Sequence, residues 1–164
     1  MKTGRKLLVA LIVLLVIAQL APYPPAENPP LGQEVPAPPE VRTILRVSCY
    51  DCHSNETVWP WYSNVIPAKW FVRGHVVEGR GHLNFSTWEQ YPPQGAARKL
   101  EEVVEMVQEG KMPLPSYLRM HSDAALSPEG QTRIIDWARA LGGTIEESAG
   151  GVGDEAEPGE TSVR

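Results

Sequence analysis

Residues 49–53 read Cys49-Tyr50-Asp51-Cys52-His53, a single C-x-x-C-H that contains the only two cysteines of the chain. A disulfide between thiols this close would close a loop too short to hold a fold together, since cross-linking gains strength with loop length. A Cys-x-x-Cys followed directly by His is what covalent c-type haem attachment requires. The two thiols add to the vinyl groups of the macrocycle, and the adjacent imidazole becomes the proximal ligand of the iron. The motif therefore predicts one covalently bound haem c, held by Cys49 and Cys52, with His53 on the metal.

The sequence on either side of the motif is helical in pattern. Upstream, Val41, Ile44, Leu45 and Ser48 recur on one face behind Pro38 and Pro39, which predicts a short helix delivering Cys49. Downstream, Trp59-Pro60-Trp61-Tyr62-Ser63-Asn64 forms a dense aromatic loop. Pro67 opens a second helix with Trp70, Phe71, Val76 and Val77 as its apolar positions, and Gly79 reads as its stop. Leu83–Tyr91 is irregular, with Ser86-Thr87-Trp88-Glu89 matching a capping box. From Ala96 or Ala97 to Glu109 the stripe Ala97, Leu100, Val103, Val104 and Val107 opposes a wet face of glutamates, and Gly110 ends the helix. Ser127 caps a last helix with Pro128 in its first turn and Ile134, Trp137, Ala138 and Leu141 on one face. Gly142 and Gly143 read as its close. No sustained apolar/polar alternation suggests strands.

The ends of the chain differ from this middle. Lys2, Arg5 and Lys6 precede an unbroken apolar run from Leu7 to Ala18, and Val16-Ile17-Ala18 resembles a small-x-small cleavage site. Residues 1–21 thus read as an export signal, cleaved or kept as an N-terminal membrane anchor. The run is shorter than the roughly 20 residues that span a bilayer. The basic end stays in the cytoplasm, placing the remainder on the periplasmic side, soluble or anchored to the inner membrane. Residues 22–39 are rich in proline and read as an extended spacer. Residues 143–164 read as a disordered acidic tail with little to bury. The foldable domain is thus 40–142. A net charge of −5 gives no basic face for nucleic acid.

A six-coordinate iron needs a second axial group, and Met112 fits best. It stands in a G-x-M-P setting directly after a helix, where proline prevents continuation, and a thioether is a soft ligand that favours ferrous iron. Met120 and His121 come second; Met106 reads as core, and His75 and His82 as packed or surface residues. The free N–H of His53 needs an acceptor, expected among the carbonyls of the Pro60–Pro67 loop. Trp59, Trp61 and Arg73 are candidate haem contacts, with Lys69 and Arg80 as further propionate partners.

Val47-Ser48-Cys49-Tyr50-Asp51-Cys52-His53-Ser54-Asn55, Trp59-Pro60-Trp61-Tyr62-Ser63, Gly79-Arg80, Leu83-Asn84-Phe85-Ser86-Thr87-Trp88 and Met112-Pro113 with Tyr117 and His121 beyond resemble the haem-binding domain of many bacterial exported proteins. The resemblance covers about residues 40–142. It implies an all-α, cytochrome c-like domain wrapped around one haem, with Cys49 and Cys52 as thioether sites and His53 as axial ligand. The function expected is one-electron transfer by an exported monohaem cytochrome with His/Met ligation and a redox protein as partner. The alternative is a haem sensor or small peroxidase-like enzyme with a displaceable distal ligand and Tyr117, His121 or His75 lining its pocket. A thiol–disulfide redox pair would need a strand–helix thioredoxin pattern, which is missing.

Overall fold

Prolines open the helices of this chain. Pro39, Pro93, Pro115 and Pro128 each stand at the first position of a helix, where the absent N–H would lack a partner anyway. The computed structural model describes residues 2–150, and all regular structure among them is helical, with no strand. The α-helices are α1 (Lys2–Gln19), α2 (Pro39–Ser48), α3 (Tyr50–His53), α4 (Ala68–His82), α5 (Pro93–Gln108), α6 (Pro115–Leu118) and α7 (Pro128–Gly150). Short 3-10 turns cover Trp61–Asn64, Phe85–Gln90 and Ser122–Ala124.

Glycines do not end the helices where the sequence suggested. Gly79 lies inside α4, which runs on to His82, and Gly142 and Gly143 lie inside α7. A helical glycine costs about 1 kcal/mol relative to alanine, and at Gly79 and Gly142 close packing explains its presence. A Cβ on Gly79 would stand 2.6 Å from the Cys52 carbonyl oxygen, and one on Gly142 would meet Leu100 at 3.8 Å. Residues 143–150 are therefore helical rather than part of a disordered tail; the rest of that expectation, 151–164, lies outside the described residues. The capping box at Ser86–Glu89 does not form. Ser86 Oγ accepts from Asn55 N and the Glu89 carboxylate from Gln33 N, while a kink at Thr87 breaks the turn.

The chain divides into two compact units. One comprises the residues up to Leu31 with Tyr50–Ser86, the other Gly32–Cys49 with the chain from Thr87 onward. In the first, α4 packs on α3 and on the 61–64 turn. Its core holds Val76, Leu83 and Phe85, with Phe85 stacked on Tyr50 at 5.7 Å between ring centres. In the second, α5 and α7 pack along each other, and α2 packs on α7. Leu45, Leu100 and Ile134 are almost wholly buried there beside Val41, Val107, Trp137 and Ala138. Burying each such aliphatic side chain is worth about 1.5–3 kcal/mol.

The proline-rich stretch 22–39 is not a free spacer; both halves are pinned. In the first unit Tyr23 Oη donates to Trp70 O, Arg73 Nη1 to Pro24 O, Arg80 Nη1 to Glu27 O and Asn55 Nδ2 to Pro30 O, at 2.7–3.1 Å. In the second, Trp88 N donates to Gln33 O and Trp137 Nε1 to Pro36 O, while Glu34 pairs with Arg42 and Arg46 and Val35 is buried. Proline removes donors but leaves carbonyls, so the stretch offers mainly main-chain acceptors to the domain, while Tyr23, Asn28 and Gln33 donate in return. Helix α1 has its leucines and valines exposed all round. No helix among the described residues is long and apolar enough to cross a membrane.

Candidate haem site

The C-x-x-C-H is set on two short pieces of helix. Helix α2 closes with Cys49 N donating to Leu45 O at 2.8 Å, and the single turn of α3 then carries Cys52 and His53. Neither thiol is in a disulfide, and both are half-buried. The residues between them, to which the sequence assigned no role, hold the turn. Tyr50 stacks on Phe85, and Asp51 accepts Val58 N through its carboxylate and Thr57 Oγ1 through its carbonyl. Ser54 Oγ donates to Tyr50 O and accepts Glu56 N, closing α3.

The acceptor for His53 lies outside the aromatic loop. His53 Nδ1 donates to the Leu83 carbonyl at 3.1 Å, which leaves Nε2 with its lone pair free for a metal. A buried chain of hydrogen bonds fixes that carbonyl. Asn84 Nδ2 donates to Asn55 Oδ1, Ser86 N to Asn84 Oδ1 and Asn55 N to Ser86 Oγ. Sequence reasoning gave Asn55, Asn84 and Ser86 no part in orienting His53, although the Ser54-Asn55 and Leu83-Asn84-Phe85-Ser86 motifs were the available signal. Burial pushes the pKa of His53 down; the Leu83 and Gly79 carbonyls oppose this and His82 adds to it. The ring is thus held neutral, as a ligand must be.

The Cys52 thiol is pushed up to about 11, first by burial and then by the Asp51 carboxylate, with the Arg80 guanidinium acting the other way. Thiol–disulfide catalysts depend on a stabilised thiolate, and this site disfavours one at neutral pH.

The other candidates are dispersed. Trp59 Nε1 donates to Asn28 Oδ1, and Arg80 lies over the Trp59 ring at 5.8 Å while also bonding Ser54 O, Asn28 Oδ1 and Thr57 Oγ1. Arg73 donates to Ser63 O, Pro24 O and Asn64 Oδ1, and Lys69 to the carbonyls of Gln19 and Ala21. These donors are committed to protein acceptors, which a propionate would have to displace. Trp61 is exposed and meets only Tyr62 edge-on among its ring contacts.

Met112, in the second unit, is half-buried in the loop after α5. Lys111 N and Met112 N both donate to Met106 O, Gly110 turns with φ +64°, and the Met112–Pro113 peptide is cis. His121 stacks on Tyr117 at 4.2 Å with its Nδ1 on the Tyr117 carbonyl, His75 bonds Phe71 O, and His82 and Met120 are exposed. A groove of about 480 Å³ along α5 and α7, lined by Leu100, Val104 and Gly142 among others, carries no thiol or imidazole and is not part of this site.

Two cysteines outside any disulfide, an adjacent imidazole with one nitrogen anchored, and an all-helical scaffold have the donor chemistry that a haem-carrying helical protein requires. The sequence profile of the haem-binding domain family matches residues 9–140, and the chain belongs to that family. The matched stretch takes in the apolar end of α1 and the whole proline-rich ribbon as well as the helical core. No curated protein matches the chain, nor does any solved structure.

Proposed function

We propose that this protein is an exported monohaem c-type cytochrome that passes single electrons between redox partner proteins. The observation that carries the reading is the anchoring of His53 Nδ1 on the Leu83 carbonyl beside two cysteines that form no disulfide and are spaced for thioether attachment. Cys49 and Cys52 would hold the macrocycle covalently, and His53 Nε2 would ligate its iron. Met112 would supply a second ligand through its sulfur, a neutral soft donor in a loop that proline keeps from continuing as helix. The haem iron would provide a reversible one-electron couple. With His53 and Met112 both engaged, the iron would be closed to a substrate. The basic start and apolar body of α1 support export, with the haem domain on the periplasmic side.

The test is a reduced-minus-oxidised visible spectrum of protein matured in a host with a haem-attachment system. A c-type spectrum that survives acid–acetone extraction is expected. Met112→Ala should keep covalent haem and lower the reduction potential; an unchanged potential and spectrum would remove Met112 from the iron. Rapid, complete binding of CO by the ferrous wild type would instead favour the sensor or peroxidase-like reading.

A further inference from the structure

Lys69 is a buried cation, 5% exposed, with no carboxylate partner among the described residues. Its ammonium donates to Gln19 O at 3.1 Å and Ala21 O at 3.4 Å, the carbonyls just at and beyond the end of α1. A cation is favoured at this end of a helix, and a buried charge deprived of such acceptors is costly. The Gln19 side chain adds two bonds to the same region: Nε2 donates to Asn64 O and Oε1 accepts Ile66 N. Four hydrogen bonds thus fasten the end of α1 to residues 64–69.

The fastening bears on the fate of the leader. Cleavage after Ala18, at the small-x-small site, would create an α-ammonium on Gln19, the residue whose carbonyl holds Lys69. Cleavage after Ala21 would remove both acceptors. An intact α1 is the state in which Lys69 is satisfied.

The fastened segment is also conspicuously apolar on its outside. Trp61 is 78% exposed, Phe71 56%, Val65 46% and Trp70 40%. Exposed indole and phenyl groups beside the end of an apolar helix have the composition of a membrane interface, where aromatic rings sit at headgroup level. Helix α1 is not long and apolar enough to cross a membrane alone. Apolar side chains gathered where its apolar run stops lengthen the surface that lipid can cover.

We infer that α1 is retained in the mature protein, latched to the haem domain by Lys69, and that the Trp61–Phe71 segment rests on the lipid surface beside it. This rests on the export reading and not on the haem. The experiment takes the full chain, haem-loaded, from the membrane fraction into phosphatidylethanolamine/phosphatidylglycerol vesicles containing a photoactivatable phospholipid. Intact mass should correspond to the uncleaved chain plus haem, and lipid adducts should map to α1 and to residues 61–71. A mass lacking the first 18 or 21 residues overturns retention. Adducts on α1 alone, or cross-links joining the 61–71 segments of two copies, overturn the lipid seat. Lys69→Met should lower adducts at 61–71 several-fold while leaving those on α1 and the haem absorbance unchanged; undiminished adducts overturn the latch. Adducts on a chain carrying no haem would sink the cytochrome reading and leave this one standing.

Discussion

A histidine that is to bind iron through one nitrogen must occupy the other, and for His53, the proposed ligand, the occupant is the main chain at residue 83. The requirement can be read from C-x-x-C-H, but the identity of the acceptor cannot: it lies 30 residues away, beyond the helix whose extent depends on packing. Asn84 ties this carbonyl's neighbourhood down with both ends of its side chain. Asn84→Ala leaves the buried Ser86 N–H and Asn55 Oδ1 without those partners, and a stranded buried polar group costs about 1–3 kcal/mol. Denaturant unfolding of the haem-loaded variant should show a loss of that order, with the C-x-x-C-H and its haem still attached. The charge state of His53 adds a pH dependence. Because burial depresses its pKa in the fold, the unfolded chain binds the proton more readily. Stability is therefore full above the ordinary histidine value and falls as pH drops below it, until the folded pKa is passed. Denaturant unfolding of the haem-free chain at a series of pH values should show stability falling as the pH drops below the ordinary histidine value; stability unchanged across that range would contradict a neutral, buried His53.

The beginnings of α2, α4 and α7 were legible because proline acts locally, through its fixed φ and missing N–H. Helix α5, by contrast, starts at Pro93, ahead of the expected Ala96 or Ala97, and the short α6 was not read. Helix ends were not legible, because glycine serves two purposes. At Gly110 it supplies the positive φ that closes α5, as read. At Gly79 it instead lets α4 approach the Cys52 main chain, and sequence alone does not separate a stop from a close approach. Gly79→Ala places a methyl 2.6 Å from the Cys52 carbonyl oxygen, so α4 or α3 must shift, at about 1–3 kcal/mol for overpacking. Haem content per chain should fall sharply in that variant, whereas Gly81→Ala, which meets nothing within 4 Å, should load normally. Equal loading of the two would mean that the α3–α4 contact does not position the thiol.

Across the whole molecule, the all-helical class and the haem-binding family were readable from the sequence, and the hold on the proline-rich stretch was not. Composition announces an extended chain but not whether anything holds it. The holding groups, Arg73, Arg80, Asn55 and Trp137, are scattered along later elements. Arg80→Met removes the bonds to Glu27 and Asn28, and charge-assisted hydrogen bonds of this kind are worth about 1.5–3 kcal/mol each before solvent exposure reduces them. Limited proteolysis should then cut within residues 22–31 several times faster than in the wild type, with fragments read by mass; an unchanged rate would return the stretch to the status of a passive spacer. The same fastening has a consequence in time. Residues 22–31 find these partners only once residues 55–80 have been made, and Pro36 receives the Trp137 indole from 101 positions further along. The ribbon precedes the C-x-x-C-H out of the ribosome, and these groups that hold it follow that motif.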